Sequence, residues 1–591
     1  MQKHQDFVSL VRENVHAHGD DRSFTFISEE RLGKYKENVL GFAELDREAR
    51  ALACRLQARG LQDRAVLLLY PEGLEFLTAF LGCLYARAIA VPAPLPDLDA
   101  GRFGRTRRII EDADIALILT DTAHRATVEN WLAGADLERR VHALDTQSAD
   151  AESDADPADP AFWTPPEFRP DTVAFLQYTS GSTSEPKGVM VTHGNLLCNG
   201  EEIKRRIEGT SDTVGVGWVP HYHDMGLVGQ VLQPLYLGCR YVFTSPITFV
   251  KRPVLWLELI TRYRGTITVA PNFGYELALR RVTDRQLDGL DLSSLRVVKN
   301  GAEPVRAATL ERMTERFAPV GFRPGMWMPC YGMAETTLLV TAAPLGTGPV
   351  VRDFDADALT LDKAVPAPEG TGARRLVSCG RPVTLDVGVV DPETRARLPE
   401  GQVGEIWVRG GSVAQGYWEN PAASRETFAA HTSEGEGPYL RTGDLGFRAD
   451  GELFVTGRIK DLIIVNGRNV HAHDIEEAAG AAHPAALTGA AFTLGEGGDQ
   501  EHVVIVQEIS TRVAAGTPLD ELASLIRTEV ARAFELPALS VVLAGRGTVR
   551  RTTSGKTQRR QTRDAFLNGE ITGLAGDLEL LNGPESRPNQ S

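Results

Sequence analysis

The feature that most restricts what this chain can fold into is a regular alternation of apolar runs and helical patterns. Residues 40–59 place Leu45, Ala49, Leu52, Ala53 and Leu56 on one helical face, and Gly60 stops the pattern. The apolar run 65–70 then reads as a buried strand, 74–86 as a helix and 88–91 as a second strand closed by Pro92 and Pro94. A helix over 103–111 and a strand over 115–120 repeat the unit. Strands apolar throughout, each separated by a helix, predict parallel, doubly wound α/β sheets covered on both faces. The middle continues the pattern with strands near 214–220, 241–243, 267–270 and 297–299, and a helix at 253–263.

Two stretches break the rhythm. Residues 147–160 are acidic and rich in Pro and Ala, which reads as a surface linker. Residues 342–375 carry little periodicity and much Gly, Pro and Asp. From about Arg381 short β-like runs follow (386–390, 404–409, 453–456). After 457–461 comes a compact tail with a strand at 503–507 and a helix at 519–533. The expected organisation is a large N-terminal domain over residues 1–459, with a small β-rich subdomain, and a small α+β domain over 460–591. A chain of 591 residues is in any case too long for one ordinary core.

Composition excludes several classes. With 63 basic and 79 acidic residues the net charge is −16, which argues against binding nucleic acid with the chain as a whole. No apolar run has the length of a membrane span, and residues 1–6 lack an apolar signal core. The six cysteines are scattered without a Cys-x-x-Cys pair, as expected for reduced thiols and a cytoplasmic location.

Chemistry first surfaces at Tyr178–Gly188, a loop of hydroxyls and glycines ending in Pro-Lys-Gly between two apolar runs. The local reading is a hairpin. Its small residues and Lys187 suit an anion, although a solvated Ser/Thr turn has the same composition. A Walker A loop is excluded, because Lys187 is followed by glycine rather than Ser or Thr. Further polar stretches follow strands: Trp218–Gly226, Asn300–Pro304, Cys330–Thr337, Tyr439–Asp444, Gly457–Asp461 and Arg551–Lys556. Ligands of open α/β sheets collect outside the strands' carboxyl ends. Two His-x-His-Asp stretches, 221–224 and 471–474, lack the further ligands a metal site needs.

In this order, the set resembles the adenylate-forming superfamily of acyl-CoA synthetases, adenylation domains and luciferases, over about residues 7–563. The resemblance implies ATP and Mg²⁺ and a role for each stretch. Thr179, Ser180, Gly181, Ser182, Thr183 and Lys187 would hold ATP phosphates. Gly301, Ala302, Glu303, Pro304, Tyr331 and Gly332 would enclose adenine, with Tyr331 stacked on it. Glu335 would hold Mg²⁺ and Thr336 would contact the α-phosphate. Asp444 would take the ribose hydroxyls beside Arg458, Lys460 would be the hinge, and Lys556 would reach the carboxylate and α-phosphate. His223, Asp224, Met225 and Gly226, with Phe273 and Gly274, would form the acyl pocket.

Within the superfamily the chain resembles the fatty acyl-AMP ligases, on the strings 176–178, 220–227, 301–304, 376–380 and 461–469. The weakly periodic segment 342–375 falls where that branch carries an insertion. The implied reaction activates a fatty acid and passes the acyl group to the phosphopantetheine thiol of an acyl carrier protein. Release as acyl-CoA is the alternative. The basic run 546–563 is expected to steer an acidic carrier through Arg559 and Arg560.

Overall fold

The structure, a computed structural model, describes residues 4–582 except 32, 97–99, 147–158, 180–185, 369–372, 466–467, 495–501, 515, 535, 537 and 553–555. The first sheet orders its strands His142–Asp145, Leu117–Thr120, Ala65–Leu69, Ile89–Ala93, Val173–Tyr178 and Gly188–Thr192. All neighbours are parallel except the last pair. Strand Ala65–Leu69 shows why its residues are apolar throughout. Val66 and Leu68 pack with Leu45, Leu52, Phe76 and Phe80 on one side, and Leu67 and Leu69 with Ile109, Ile110 and Trp131 on the other. Helices Phe42–Ala58 and Glu75–Ala86 meet closely enough that a β-carbon at Gly82 would stand 2.7 Å from a Leu52 methyl.

Ile89–Ala93 runs two residues past its expected end, through Pro92. Pro92 aligns with Leu68 on one side, while strand Val173–Tyr178 pairs with this strand only at Ala90, so the missing N–H forfeits no ladder bond.

An eight-stranded sheet follows, in the order Leu339–Ala342, Trp327–Gly332, Val297–Asn300, Ile267–Ala270, Val214–Gly217, Arg240–Thr244, Ser23–Arg31 and Lys34–Gly41. One face packs Val216, Trp218 and Val298 against helices Val254–Tyr263 and Ala307–Phe317. The opposite face packs Val297 and Met328 against Ile203 and Ile207 of helix His193–Ile207. A four-stranded antiparallel sheet covers Asp386–Val390, Gly404–Arg409, Leu440–Ala449 and Glu452–Arg458.

Segment 342–375 holds more regular structure than its sequence announces. Val351–Asp355 and Ala373–Val377 form an antiparallel hairpin around the short helix Ala356–Thr360. The hairpin is tied to the tail: Arg374 meets Asp474 at 2.8 Å, and Asn469 donates to Asp362 at 2.9 Å. Hairpin pairing and charge partners far along the chain leave no local period to read.

After a 3₁₀ turn at Ile459–Asp461, the tail forms a hairpin, helices Ala472–Ala481, Leu519–Phe534 and Arg559–Leu567, and a four-stranded sheet. Arg559 is spoken for inside this unit. Its guanidinium donates to Asp461 at 2.6 Å and to both oxygens of Glu476 at 2.7 and 2.8 Å. Its expected role as a carrier contact is therefore corrected: Arg559 is a structural clamp, whereas Arg560 is exposed. Replacing Arg559 by Met strands two part-buried carboxylates and is expected to destabilise the tail by about 3 kcal/mol, against under about 0.5 kcal/mol for Arg560→Met. Hydrogen exchange in helix 472–481 measures the difference; equal protection in the two variants would contradict the clamp.

Candidate active site

Strands Val173–Tyr178 and Gly188–Thr192 pair antiparallel with Tyr178 opposite Gly188, so the expected hairpin is present. Ser180, Gly181, Ser182 and Thr183 lie outside the described residues. Of the two flanks, the Thr179 N–H donates to Lys187 O at 3.4 Å, and Lys187 Nζ stands 4.8 Å from the Tyr417 ring centroid. The Tyr417 hydroxyl in turn donates to Glu335 Oε1 at 3.0 Å. Tyr417 therefore joins the hairpin lysine to the expected metal-binding carboxylate. The sequence reading missed it; an aromatic after Gly416 in a β-rich stretch is the only trace it leaves. Tyr417 is held there by its neighbours, because Met190 N–H donates to Gly416 O and Trp418 N–H to Gly188 O.

Asp444 lies opposite Arg458 across an antiparallel strand pair. Arg458 Nε donates to Asp444 Oδ1 and Tyr331 Oη to Oδ2, both at 2.8 Å. Each carboxylate oxygen is thus fixed by one donor and keeps acceptor capacity for another. Asp444 holds the Arg458 guanidinium above its ordinary pKa. Gly332, one residue after Tyr331, permits a close approach to the neighbouring strand Leu339–Ala342: a β-carbon there would sit 1.7 Å from Leu338 O. Thr337 follows at φ 69°, a costly conformation for a β-branched residue, and its hydroxyl donates to Ser412 O at 2.8 Å. Glu335 and Thr336 are carried on this strained turn.

Lys556 enters from the tail, on a turn closed by Thr552 N–H to Lys556 O at 2.8 Å and Lys556 N–H to Thr552 Oγ1 at 3.0 Å. Burial lowers the pKa of its ammonium; Asp224, Glu303 and Asp444 oppose that shift and Arg458 adds to it. Burial raises the carboxyls of Asp224, Glu303 and Glu335 above the usual range. His223 is pushed down to about 3 by burial, with Lys556 and Arg105 contributing, so it is a neutral imidazole. Arg105, also missed in the sequence, donates to Tyr178 O at 3.4 Å. Glu303 departs from a purely adenine-enclosing role, since its carboxylate faces Lys556 and accepts the Phe273 N–H.

These groups share one cavity of about 1590 Å³. Thr179, Lys187, His223, Asp224, Met225, Phe273, Ala302, Glu303, Pro304, Tyr331, Gly332, Glu335, Asp444, Arg458, Lys460 and Lys556 all line it. Four expected site residues stand behind its wall. Thr336 is fully buried and its hydroxyl donates to Met333 O at 2.9 Å. Gly226, Gly274 and Gly301 serve close backbone packing: β-carbons there would meet Pro220 O at 1.9 Å, the Trp218 ring at 2.6 Å and Cys330 O at 2.8 Å. Lys460 is exposed on the 3₁₀ turn. The cavity lining also includes apolar side chains packed beside the eight-stranded sheet and helix His193–Ile207, namely Ile203, Ile207, Leu237, Cys239 and Leu339.

The two histidine pairs have other partners. His221 stacks on Phe76 at 3.8 Å, and His473 lies beside Asp474 and Arg374. Among the described residues no group of three or more His, Cys, Asp or Glu side chains is arranged to hold a metal ion. Glu335 nevertheless suits a cation whose remaining ligands come from a nucleotide: it is 8% exposed and faces the cavity, and burial disfavours its bare charge.

The AMP-binding enzyme family model matches residues 11–418, and the chain belongs to this family. A medium-chain-fatty-acid–acyl-carrier-protein ligase of Moorena producens is 42% identical over 577 residues, covering 95% of each chain. A long-chain-fatty-acid–AMP ligase of Mycobacterium marinum is 35% identical over 95% of this chain and 98% of its own. Among solved structures, a fatty acyl-adenylate ligase of L. pneumophila in complex with acyl adenylate and pyrophosphate superposes with a TM-score of 0.74. It is 35% identical and covers 97% of this chain and 98% of its own. No helix among the described residues is long and apolar enough to cross a membrane.

The raised Glu335 carboxyl has a consequence for stability. The folded state keeps its proton to higher pH than the unfolded chain, so stability falls as pH rises from the ordinary glutamate range through the folded value. Glu335→Gln keeps an acceptor for Tyr417 and removes the titration. The nucleotide-free variant should be more stable than the parent at pH 7.5, and the gain should shrink as pH falls into the ordinary glutamate range. Thermal melts at the two pH values provide the check; a gain independent of pH would contradict it.

Proposed function

We propose that this protein is a fatty acyl-AMP ligase. It activates a fatty acid with ATP to an acyl-adenylate and pyrophosphate, then transfers the acyl group to the phosphopantetheine thiol of an acyl carrier protein. The observation that carries this reading is one cavity whose lining combines Asp444, Glu335, Lys187 and Lys556 with the apolar side chains of Ile203, Ile207, Leu237 and Leu339. An ionic end and an apolar tunnel are what a nucleotide and a fatty acid require together.

The chemistry brings a carboxylate to an α-phosphate, two anions, and asks the protein for position and charge rather than a covalent intermediate. Asp444, braced by Tyr331 and Arg458, offers two oxygens to the ribose hydroxyls. Lys556 stands with the carboxylate and α-phosphate and offsets their charge as they meet. Lys187, from the hairpin flank, accompanies the β- and γ-phosphates as they leave. Tyr331 closes over the adenine beside Ala302 and Pro304. Glu335 would hold Mg²⁺, which when bound neutralises phosphate charge; Tyr417 orients that carboxylate. Neutral His223 sits where the acyl carboxylate enters without adding a competing cation.

Residues 1–459 form the adenylating unit in this reading. Residues 460–591 turn about Lys460 to withdraw Lys556 and admit the carrier thiol, and the protein works in the cytoplasm. Hairpin 351–377 belongs to the branch that prefers a carrier to free coenzyme A, and relatives with carrier-ligase names support that preference.

The purified protein with ATP, Mg²⁺ and a panel of fatty acids should give acyl-adenylate. Adding a phosphopantetheinylated carrier should yield acyl-carrier in large excess over the acyl-CoA formed with free coenzyme A. Mass spectrometry separates the three products. Abundant acyl-CoA would replace the carrier assignment by an acyl-CoA synthetase, and absence of pyrophosphate release with every acid would overturn the reading.

A further inference from the structure

Among the apolar side chains of the cavity lining stands one charged residue, Lys299. Lys299 lies on strand Val297–Asn300, two residues before the Gly301–Pro304 turn. Alternation along the strand sends Val298 to the face with Trp218 and Val216, and Lys299 to the same face as Val297, toward Ile203, Ile207, Leu237 and Cys239. Its side chain lines the cavity and the residue is only 9% exposed. Among the described residues its ammonium has no ion pair and no hydrogen-bond acceptor; its backbone is held by the strands on either side, and its oxygen also accepts from the Tyr275 hydroxyl. The titratable group beside it is Cys330, whose thiol burial pushes up to about 11, so it stays neutral and supplies no counter-charge. Of the neighbouring polar groups, Gln233 donates to Gly200 O at 3.1 Å and Gln230 accepts the Val219 N–H at 3.1 Å, while the buried Tyr241 hydroxyl, also in the cavity lining, has no partner.

An unpaired buried ammonium in an apolar tunnel is costly, and an apolar residue of similar length would line a plain hydrocarbon tunnel better. We propose that Lys299 is a specificity residue for fatty acids whose chain carries a second oxygen function, a carboxylate or hydroxyl, which it binds among the apolar side chains of the cavity lining. This rests on the fatty acyl-AMP ligase reading and names its substrate class. The bound oxygen satisfies donors that an unsubstituted chain leaves bare, and sites built to hydrogen-bond a substrate group reject the analogue lacking it. Lys299 lies about 7 Å along the strand from Gly301, beyond the reacting carboxyl. It therefore acts on which acid binds, and the bond-making step stays with Lys556.

The test compares the parent and Lys299→Met in acyl-adenylate formation, using dodecanoic acid, a positional series of hydroxydodecanoic acids, and α,ω-diacids of increasing length. Methionine fills similar space without charge, and a melting temperature at or above the parent's verifies its fold. The parent should prefer at least one substituted acid, and Lys299→Met should shift kcat/KM toward dodecanoic acid by about ten- to a hundredfold relative to that acid. The diacid and hydroxy arms then tell an ion pair from a neutral hydrogen bond. An unchanged substituted-to-plain ratio overturns the proposal. So does a change confined to preferred length among unsubstituted acids, which would make Lys299 a mere stop in the tunnel. Failure of both proteins to adenylate any acid overturns the fatty acyl-AMP ligase reading as well, whereas activity with an unmoved ratio defeats only this inference.

Discussion

The site depends on an unequal burial of charge. Asp224, Glu303 and Glu335 stand in one cavity with burial holding each toward its protonated form, and the ammonium that opposes them is itself disfavoured by burial. Such an arrangement is poor for stability and well suited to a ligand that brings its own charges, such as a nucleotide with a cation. Much of the surrounding structure reads as support for it: Tyr417 on Glu335, Tyr331 and Arg458 on Asp444, and the strained backbone at Thr337 next to the turn that carries Glu335. Lys556 is the member that comes from the tail, so the ionic balance of the cavity is completed only while the tail is docked.

The docking is reinforced at several places. Arg374 and Asp362, from the hairpin segment, engage Asp474 and Asn469, and Arg306 meets Glu477 at 3.6 Å. The exposed 3₁₀ turn at Ile459–Asp461 is where the large antiparallel sheet ends and the tail begins. A short turn between two well-packed units is where rotation costs least, because few buried contacts are broken within it.

Much of the α/β core is legible in the sequence because each buried element repeats its own signal. Asp386–Val390 and Gly404–Arg409 have the expected bounds, and the strands and helices between 42 and 120 are displaced by a few residues at most. Hairpin 351–377 is not legible, since its residues are half exposed and its partners lie about a hundred positions away. In the site, single-residue identities such as Asp444, Lys187 and Lys556 could be named from ordered motifs. Tyr417, Arg105 and the second engagement of Glu303 could not, because they act through positions that only folding brings together. Arg559 illustrates the opposite error: a basic run suggests a solvated surface, yet its guanidinium meets two carboxylates inside the tail.

A lysine from the tail completes the charge balance of a cavity lined largely by the rest of the chain. The most direct measurement is the two half-reactions of Lys556→Ala, followed separately. Acyl-adenylate formation should fall by roughly two to three orders of magnitude with ATP affinity little changed, while transfer to the carrier from preformed acyl-adenylate stays within a few-fold of the parent. Normal adenylation by the variant, or equal loss in both half-reactions, would show that Lys556 does not complete the charge balance of the adenylating step.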